Sequence, residues 1–268
     1  MTLKYHQPIF YLLGIEPIID MTRLDVVREI EVNYNFKMPN AVKEYFLIGN
    51  MLDTLFDFSV FLEVNPLFLF GQLEHFEGLD DKHLDLLKKR RVIPLFTEKN
   101  HSWTWFLNLK NELDDPKVML HDKDFPETLI SHPHKFSKQL YLSIWDSLVI
   151  QPRSEGFYMK ANYKIATDDI LRTMRFAMHE ISTTYILVAN ETTYRFENNG
   201  GYIAIVEDGT QAIWHFYAKD EESLKLLLQL TTKIKKLTTK IKVKASVSET
   251  VQAFGNKATI EQVLSEMI

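Results

Sequence analysis

The dipeptide Asp208-Gly209 stands between Tyr202–Glu207 and Gln211–Tyr217, two runs rich in β-branched and aromatic residues. A type I′ turn needs positive φ at both central residues, which this pair tolerates, so the stretch predicts an antiparallel hairpin. Ahead of it, the pattern predicts a strand over Phe157–Ile165, a helix over Asp168–His179 and a strand over Thr183–Ala189. The expected class of the chain is α+β rather than a doubly wound parallel sheet, because in its first half the strands do not alternate with long helices. A helix is expected from Asp220, with Leu227, Leu230, Ile234, Leu237 and Ile241 alternately three and four apart. The run TTKIKKL at Thr231 is nearly repeated as TTKIKVK at Thr238. Two such heptads are fewer than a coiled coil needs, so the seam is expected to pack on the domain's own sheet. From Val243 onward the chain is expected to turn to strand.

The first half turns on another dipeptide, Met38-Pro39. Thr22-x-x-Asp25 has capping-box spacing and is expected to open a helix with Leu24, Val27, Ile30 and Tyr34 on one face. Pro39 disfavours helix at Met38 and suits the first position of a second helix. Val42, Tyr45, Phe46 and Gly49 mark that helix's buried face, and Gly49-Asn50 ends it. An apolar segment at Leu67–Phe70 and a short helix near Asp80–Arg90 follow. Strands are expected over Val92–Thr97, Ser102–Leu109 and Lys117–His121, then a helix over Phe136–Val149 with Phe136, Leu140, Ile144 and Leu148 on one stripe. Gln151–Gly156 holds a Pro and a Gly after a helical run, so two domains are expected, 1–152 and 153–268.

Charge is uneven between these halves. Residues 1–152 hold 16 Lys+Arg against 22 Asp+Glu, and residues 153–268 hold 15 against 14. The acidic first half repels phosphate and argues against a nucleic-acid partner, and it favours a basic protein. The absence of cysteine excludes disulfides and thiolate metal sites and suits a reducing cytoplasm. The N-terminus lacks the basic flank and small-residue cleavage site of a signal peptide, and no apolar run approaches membrane-spanning length.

One stretch resembles a known family. Glu31-x-x-Tyr34, Lys37-Met38-Pro39, Val42-Lys43-Glu44-Tyr45-Phe46-Leu47 and Gly49-Asn50 together look like the signature of the SUKH superfamily. Trp103–Leu109 is similar to its aromatic central strand, and Asp114-Asp115-Pro116-Lys117-Val118 to its turn before the next strand. Phe136–Leu140 resembles its closing helix, so the likeness covers about residues 20–150. Bacterial members of that superfamily are mostly immunity proteins that bind and neutralise a cognate toxin. Fungal members regulate cell-wall synthesis through protein contacts. The resemblance therefore implies a binder without catalysis that holds a cognate toxin by stoichiometric contact, and the acidic first half makes a basic toxin the expected one. A regulatory scaffold with a host partner is the alternative, and a metal-dependent hydrolase a weaker one.

Residue by residue, the expected docking candidates are Asp80, Asp81, Asp114 and Asp115, acidic pairs in an expected loop or helix start, with Trp103 and Trp105. Alternation puts Trp103 and Trp105 on one side of their strand and Thr104 and Phe106 on the other, and desolvated tryptophans dominate binding energy. His121-Asp122-Lys123-Asp124 with His132-Pro133-His134 could ligate zinc, but Pro126 and Pro133 suggest a polar surface loop and closed sites show tighter spacing, so no metal or cofactor is expected. His179-Glu180 has Thr183 where a zincin has its second histidine, and Asn199-Gly200-Gly201 lacks the Lys-Ser/Thr of a phosphate loop and reads as a turn. No Gly-x-Ser-x-Gly elbow is present. Lys88–Arg91 is expected to serve the end of a helix, and the six lysines of Lys233–Lys244, without interleaved aromatics, a solvated helix face.

Overall fold

The computed structural model describes residues 3–33, 37–51, 92–97, 103–108, 114–122, 129–150, 156–163, 167–186, 190–240 and 249–250. Helices and antiparallel sheets make it an α+β fold. The chain divides into two compact units, Met1–Trp145 and Asp146–Ile268. The division falls inside a helix, ahead of Gln151–Gly156.

In the first unit, α1 (Gln7–Leu13), α2 (Arg23–Asn33) and α3 (Asn40–Leu47) precede four strands, β1 (Val92–Thr97), β2 (Trp103–Asn108), β3 (Lys117–Asp122) and β4 (Leu129–Lys135). The strands form an antiparallel meander in chain order. β4 was not expected: Pro133 lies inside it rather than in a loop. An edge strand tolerates the missing N–H, because one side of its ladder needs no donor. α4 (Phe136–Ile150) buries Phe136, Leu140, Ile144 and Leu148 as the stripe predicted.

The helices begin and end one step from where the sequence placed their signals. Pro39 lies just ahead of α3, extended at ψ 149°, and its carbonyl accepts the Lys43 N–H at 2.9 Å. Thr22 does not cap α2. Its N–H and hydroxyl both donate to the Asp20 carboxylate, at 3.1 and 2.5 Å, so Asp20 organises the entry. α3 ends at Leu47 without a left-handed glycine, since Ile48 turns extended (φ −81°, ψ 105°) and bridges to Ile19. Within α2, Val27 is buried and Leu24 half-buried. Tyr34 lies outside the described residues, as do Leu67–Phe70 and Asp80–Arg90.

The second unit is built on a six-stranded antiparallel sheet ordered β10-β5-β9-β8-β7-β6. Its strands are β5 (Phe157–Tyr163), β6 (His179–Ile186), β7 (Glu191–Asn198), β8 (Gly201–Glu207), β9 (Ala212–Ala218) and β10 (Glu249–Thr250). Two helices, α5 (Asp168–Ala177) and α6 (Glu221–Lys240), bury Ile170, Leu171, Met174, Leu224, Leu227 and Leu228 in one cluster with Phe196, Ile203, Trp214 and Phe216 of the sheet. α6 thus packs on its own sheet, as expected, with Asp220 capping it through the Ser223 N–H at 2.8 Å. The α6 seam beyond Leu230 lies outside the described side chains. Of the strand expected after Val243, the described residues hold only Glu249–Thr250, paired with β5.

The hairpin is present but its turn chemistry is moved. Only Gly209 has positive φ (85°) between β8 and β9, so a Gly209-Thr210 loop of II′ character replaces the expected I′ turn. Asp208 instead accepts the Thr210 hydroxyl at 2.7 Å and the N–H groups of Gln211 and Thr210 at 3.0 and 2.9 Å, and the hydroxyl first, then the two N–H groups, hold its carboxyl well below the usual range. The I′ pattern falls at Asn199-Gly200, where both residues have positive φ (44° and 80°) between β7 and β8. The helix expected to reach His179 stops at Ala177, because Met178 is already extended and the Ile181–Thr184 run favours strand.

Candidate functional site

The Glu31–Asn50 stretch is taken up by the first unit's own architecture. The Glu31 carboxylate accepts the Met38 N–H at 2.8 Å and pairs with Lys43 Nζ at 2.7 Å, tying the end of α2 to α3 across the Met38-Pro39 step. Glu44 is buried and accepts three consecutive N–H groups, from Lys4 at 2.6 Å and from Tyr5 and His6 at 2.8 Å. These lead into α1, so the carboxylate meets the positive end of that helix. Tyr45 is buried, with its ring edge-on to His6, Phe46 and Phe136 at centroid distances of 6.1, 5.6 and 5.7 Å. Burial pushes its hydroxyl pKa well up. These are scaffold roles.

The docking candidates separate. Asp114 is exposed but engaged, taking hydrogen bonds from the Tyr5 hydroxyl, from Asn40 Nδ2 at 3.2 Å and from Lys4 Nζ at 3.2 Å. The Tyr5 hydroxyl, then Asn40 and Lys4, hold its carboxyl down at about 2. Asp115 was expected on the surface and is buried. It accepts the Ser137 N–H at 3.1 Å and the Ser137 hydroxyl at 2.6 Å, so it caps the start of α4. On β2, Thr104 and Phe106 face inward and Trp105 is half-exposed. Asp80, Asp81 and the Trp103 side chain lie outside the described residues.

The histidine cluster is partly visible. His132, buried, and His134, half-buried, stand on β4 with ring centroids 5.6 Å apart. The His121 side chain, Asp124, and Lys88–Arg91 lie outside the described residues. Among the described residues no group of three or more His, Cys, Asp or Glu side chains is placed to hold a metal ion.

A polar row that the sequence did not reveal crosses the second sheet. The register sets Ser182, Arg195, Ala204, His215 and Lys160 side by side on β6, β7, β8, β9 and β5. Arg195 is buried and bidentate to Asp146 in the last turn of α4, at 2.6 and 2.7 Å, and also donates to the Thr184 hydroxyl at 3.0 Å. His215 lies 2.9 Å from the Tyr158 hydroxyl, and burial lowers its pKa to about 4. The bidentate pair fixes geometry; it leaves no charge free for chemistry.

Exposed apolar side chains gather elsewhere. Nine large hydrophobic side chains are exposed among the described residues, and six of them, Tyr11, Ile15, Ile18, Met21, Val26 and Val32, fall in the α1–α2 region. Composition offered no signal for this, because apolar residues at helical spacing read as core. Among the described residues no helix is long and apolar enough to cross a membrane. No protein-family model, curated protein or solved structure matches the chain.

Proposed function

We propose that this is an immunity-type protein, which binds a basic bacterial toxin in the cytoplasm and neutralises it by stoichiometric protein–protein contact. The observation that carries a binding role is the concentration of exposed apolar side chains between Tyr11 and Val32. Contiguous or dense apolar surface is costly in water and marks interaction sites. Acidic Glu16, Asp25 and Glu29 are exposed within the same stretch, which suits a basic partner. The resemblance of Glu31–Asn50 to the SUKH signature supports the same reading, and its residues act as the scaffold that presents this surface. Neutralisation then needs no turnover: the protein docks, covers or distorts the toxin's active site, and remains bound.

Co-expression with the protein encoded immediately upstream tests this. Rescue of growth together with a co-purifying complex of fixed stoichiometry is expected. Absence of rescue and of any complex would sink the reading, as would rescue by a protein present far below the toxin's concentration.

A further inference from the structure

The loop between α1 and α2 is held in a way that an ordinary connection is not. Asn50 reaches across to it with both ends of its side chain, accepting the Ile18 N–H at 2.9 Å and donating to the Glu16 carbonyl at 3.1 Å. The backbone adds Gly49 N–H to the Ile18 carbonyl at 2.6 Å and Asp20 N–H to the Leu47 carbonyl at 2.8 Å, around the Ile19–Ile48 bridge. Arg23, paired with Asp20 at 3.1 Å, directs its guanidinium to the carbonyls of Phe46, Ile48 and Gly49. A Cβ at Gly49 would stand 3.4 Å from the Ile18 carbonyl oxygen and from Asp20 Cβ, so the loop lies directly on this corner of the fold. Yet Ile18 and Met21, on this fixed backbone, are 62% and 54% exposed. A loop held by four hydrogen bonds and the Asp20–Arg23 pair while it offers two apolar side chains to water is preorganised for contact, since little ordering entropy remains to be lost on binding.

The local charge says what fits there. Of the charged residues around the loop, Arg23 is paired with Asp20 and Arg28 with Asp25, while Glu16 and Glu29 are exposed and have no ion pair among the described residues. The uncompensated charge is negative. We propose that Ile18 and Met21 form the anchor of the docking surface, and that the occupant is a partner protein whose apolar cleft is rimmed by lysine or arginine. Apolar anchors desolvate in the cleft, and the carboxylates of Glu16 and Glu29 meet the cationic rim. This rests on the proposed toxin-binding function and assigns its contact point, which differs from the acidic pair Asp114-Asp115.

Ile18→Asp and Met21→Asp, singly and together, test it against the upstream-encoded protein, with Tyr185→Ser on the second unit as the exposed control. Thermal melting establishes that each variant folds, and Ile18→Ser serves where the aspartate variant does not. The expected result is a loss of affinity of 100-fold or more in the double variant, with melting unchanged and the control binding as wild type. Wild-type affinity in folded variants, while the wild type still rescues growth, would overturn the anchor and leave the proposed function standing. If wild type itself neither binds nor rescues, the function fails and the anchor fails with it. Light scattering supplies one further arm: a wild-type dimer that Ile18→Asp converts to monomer would show the face to be covered by a second copy, and would overturn the toxin contact.

Discussion

Glu44 does at the entry to α1 what a bound anion would do, gathering the N–H groups of Lys4, Tyr5 and His6 on one buried carboxylate. Glu44→Gln keeps the shape but offers a single oxygen, and turns an amide NH2 toward a donor. The buried N–H left without an acceptor costs about 1–3 kcal/mol. Chemical denaturation should show a loss of that size with unchanged m-value, and a loss near zero would mean that water replaces the carboxylate. His6, packed beside Glu44, donates through Nε2 to the Ala41 carbonyl at 2.9 Å, and its Nδ1 is buried without a hydrogen-bond partner among the described residues. Burial keeps its pKa low, against the pull of Glu44 and Asp115. His215 titrates the same way, at about 4 in the folded chain against about 6.5 when unfolded. Between those values the unfolded chain binds more protons. Stability is therefore complete above about pH 6.5, falls as pH drops to about 4, and changes no further through this group below that. The full effect of His215 is about 3 kcal/mol. His215→Gln should flatten that limb of the stability–pH curve; an identical limb in the variant would exclude His215 as its source.

At the scale of elements, Arg195 carries a stability prediction and stands in a strand that the sequence reading missed. Asp146→Ala leaves the buried guanidinium facing Thr184 and the Thr193 carbonyl without its carboxylate, which costs about 3 kcal/mol. Asp146→Leu combined with Arg195→Met should cost much less, because removing both charges also removes the desolvation penalty. Urea melts of the single and double variants decide it, and equal losses would show that the pair has no coupling. That strand, β7, was passed over. Glu191, Arg195 and Glu197 share one of its sides, which reads as a solvent face, and nothing in one dimension shows that Arg195 is buried against an acidic partner 49 residues away. β4 was obscured by Pro133 for a similar reason, since only the sheet order reveals that its strand lies at an edge. The legible elements were those with a strong local period: the α4 stripe, α6 as far as Leu230 and the β8–β9 hairpin. Turn type was less legible, because Asp208 spends its side chain on Thr210 and Gln211 rather than adopting positive φ. Of the candidate site, the acidic character was legible and the exposure was not. Asp114 and Asp115 are neighbours of identical type, yet one faces water and the other caps α4.

For the whole molecule, the charge distribution bears on how fast a partner arrives. Residues 1–152 carry six more acidic than basic groups, while residues 153–268 are nearly balanced. A field of one sign steers an oppositely charged partner toward the half that bears it, and salt screens that field over about 8 Å at physiological strength. At the proposed Ile18–Met21 anchor, contacts made after docking would be short-ranged and apolar, so salt would leave them largely intact. Raising ionic strength from low to physiological should therefore slow association with a basic toxin about tenfold or more while dissociation changes little. Charge reversals should divide by environment. Glu16→Lys and Glu29→Lys remove exposed carboxylates that have no ion pair among the described residues, and should reduce the on-rate with normal melting. Asp115→Lys should unfold the first unit instead, because its carboxylate is buried against Ser137. Asp114→Lys should do less to association than either glutamate, since Lys4 already offsets that charge. Stopped-flow mixing across a salt series separates these outcomes. An on-rate indifferent to salt and to both glutamate reversals would place the encounter on the balanced second half of the chain.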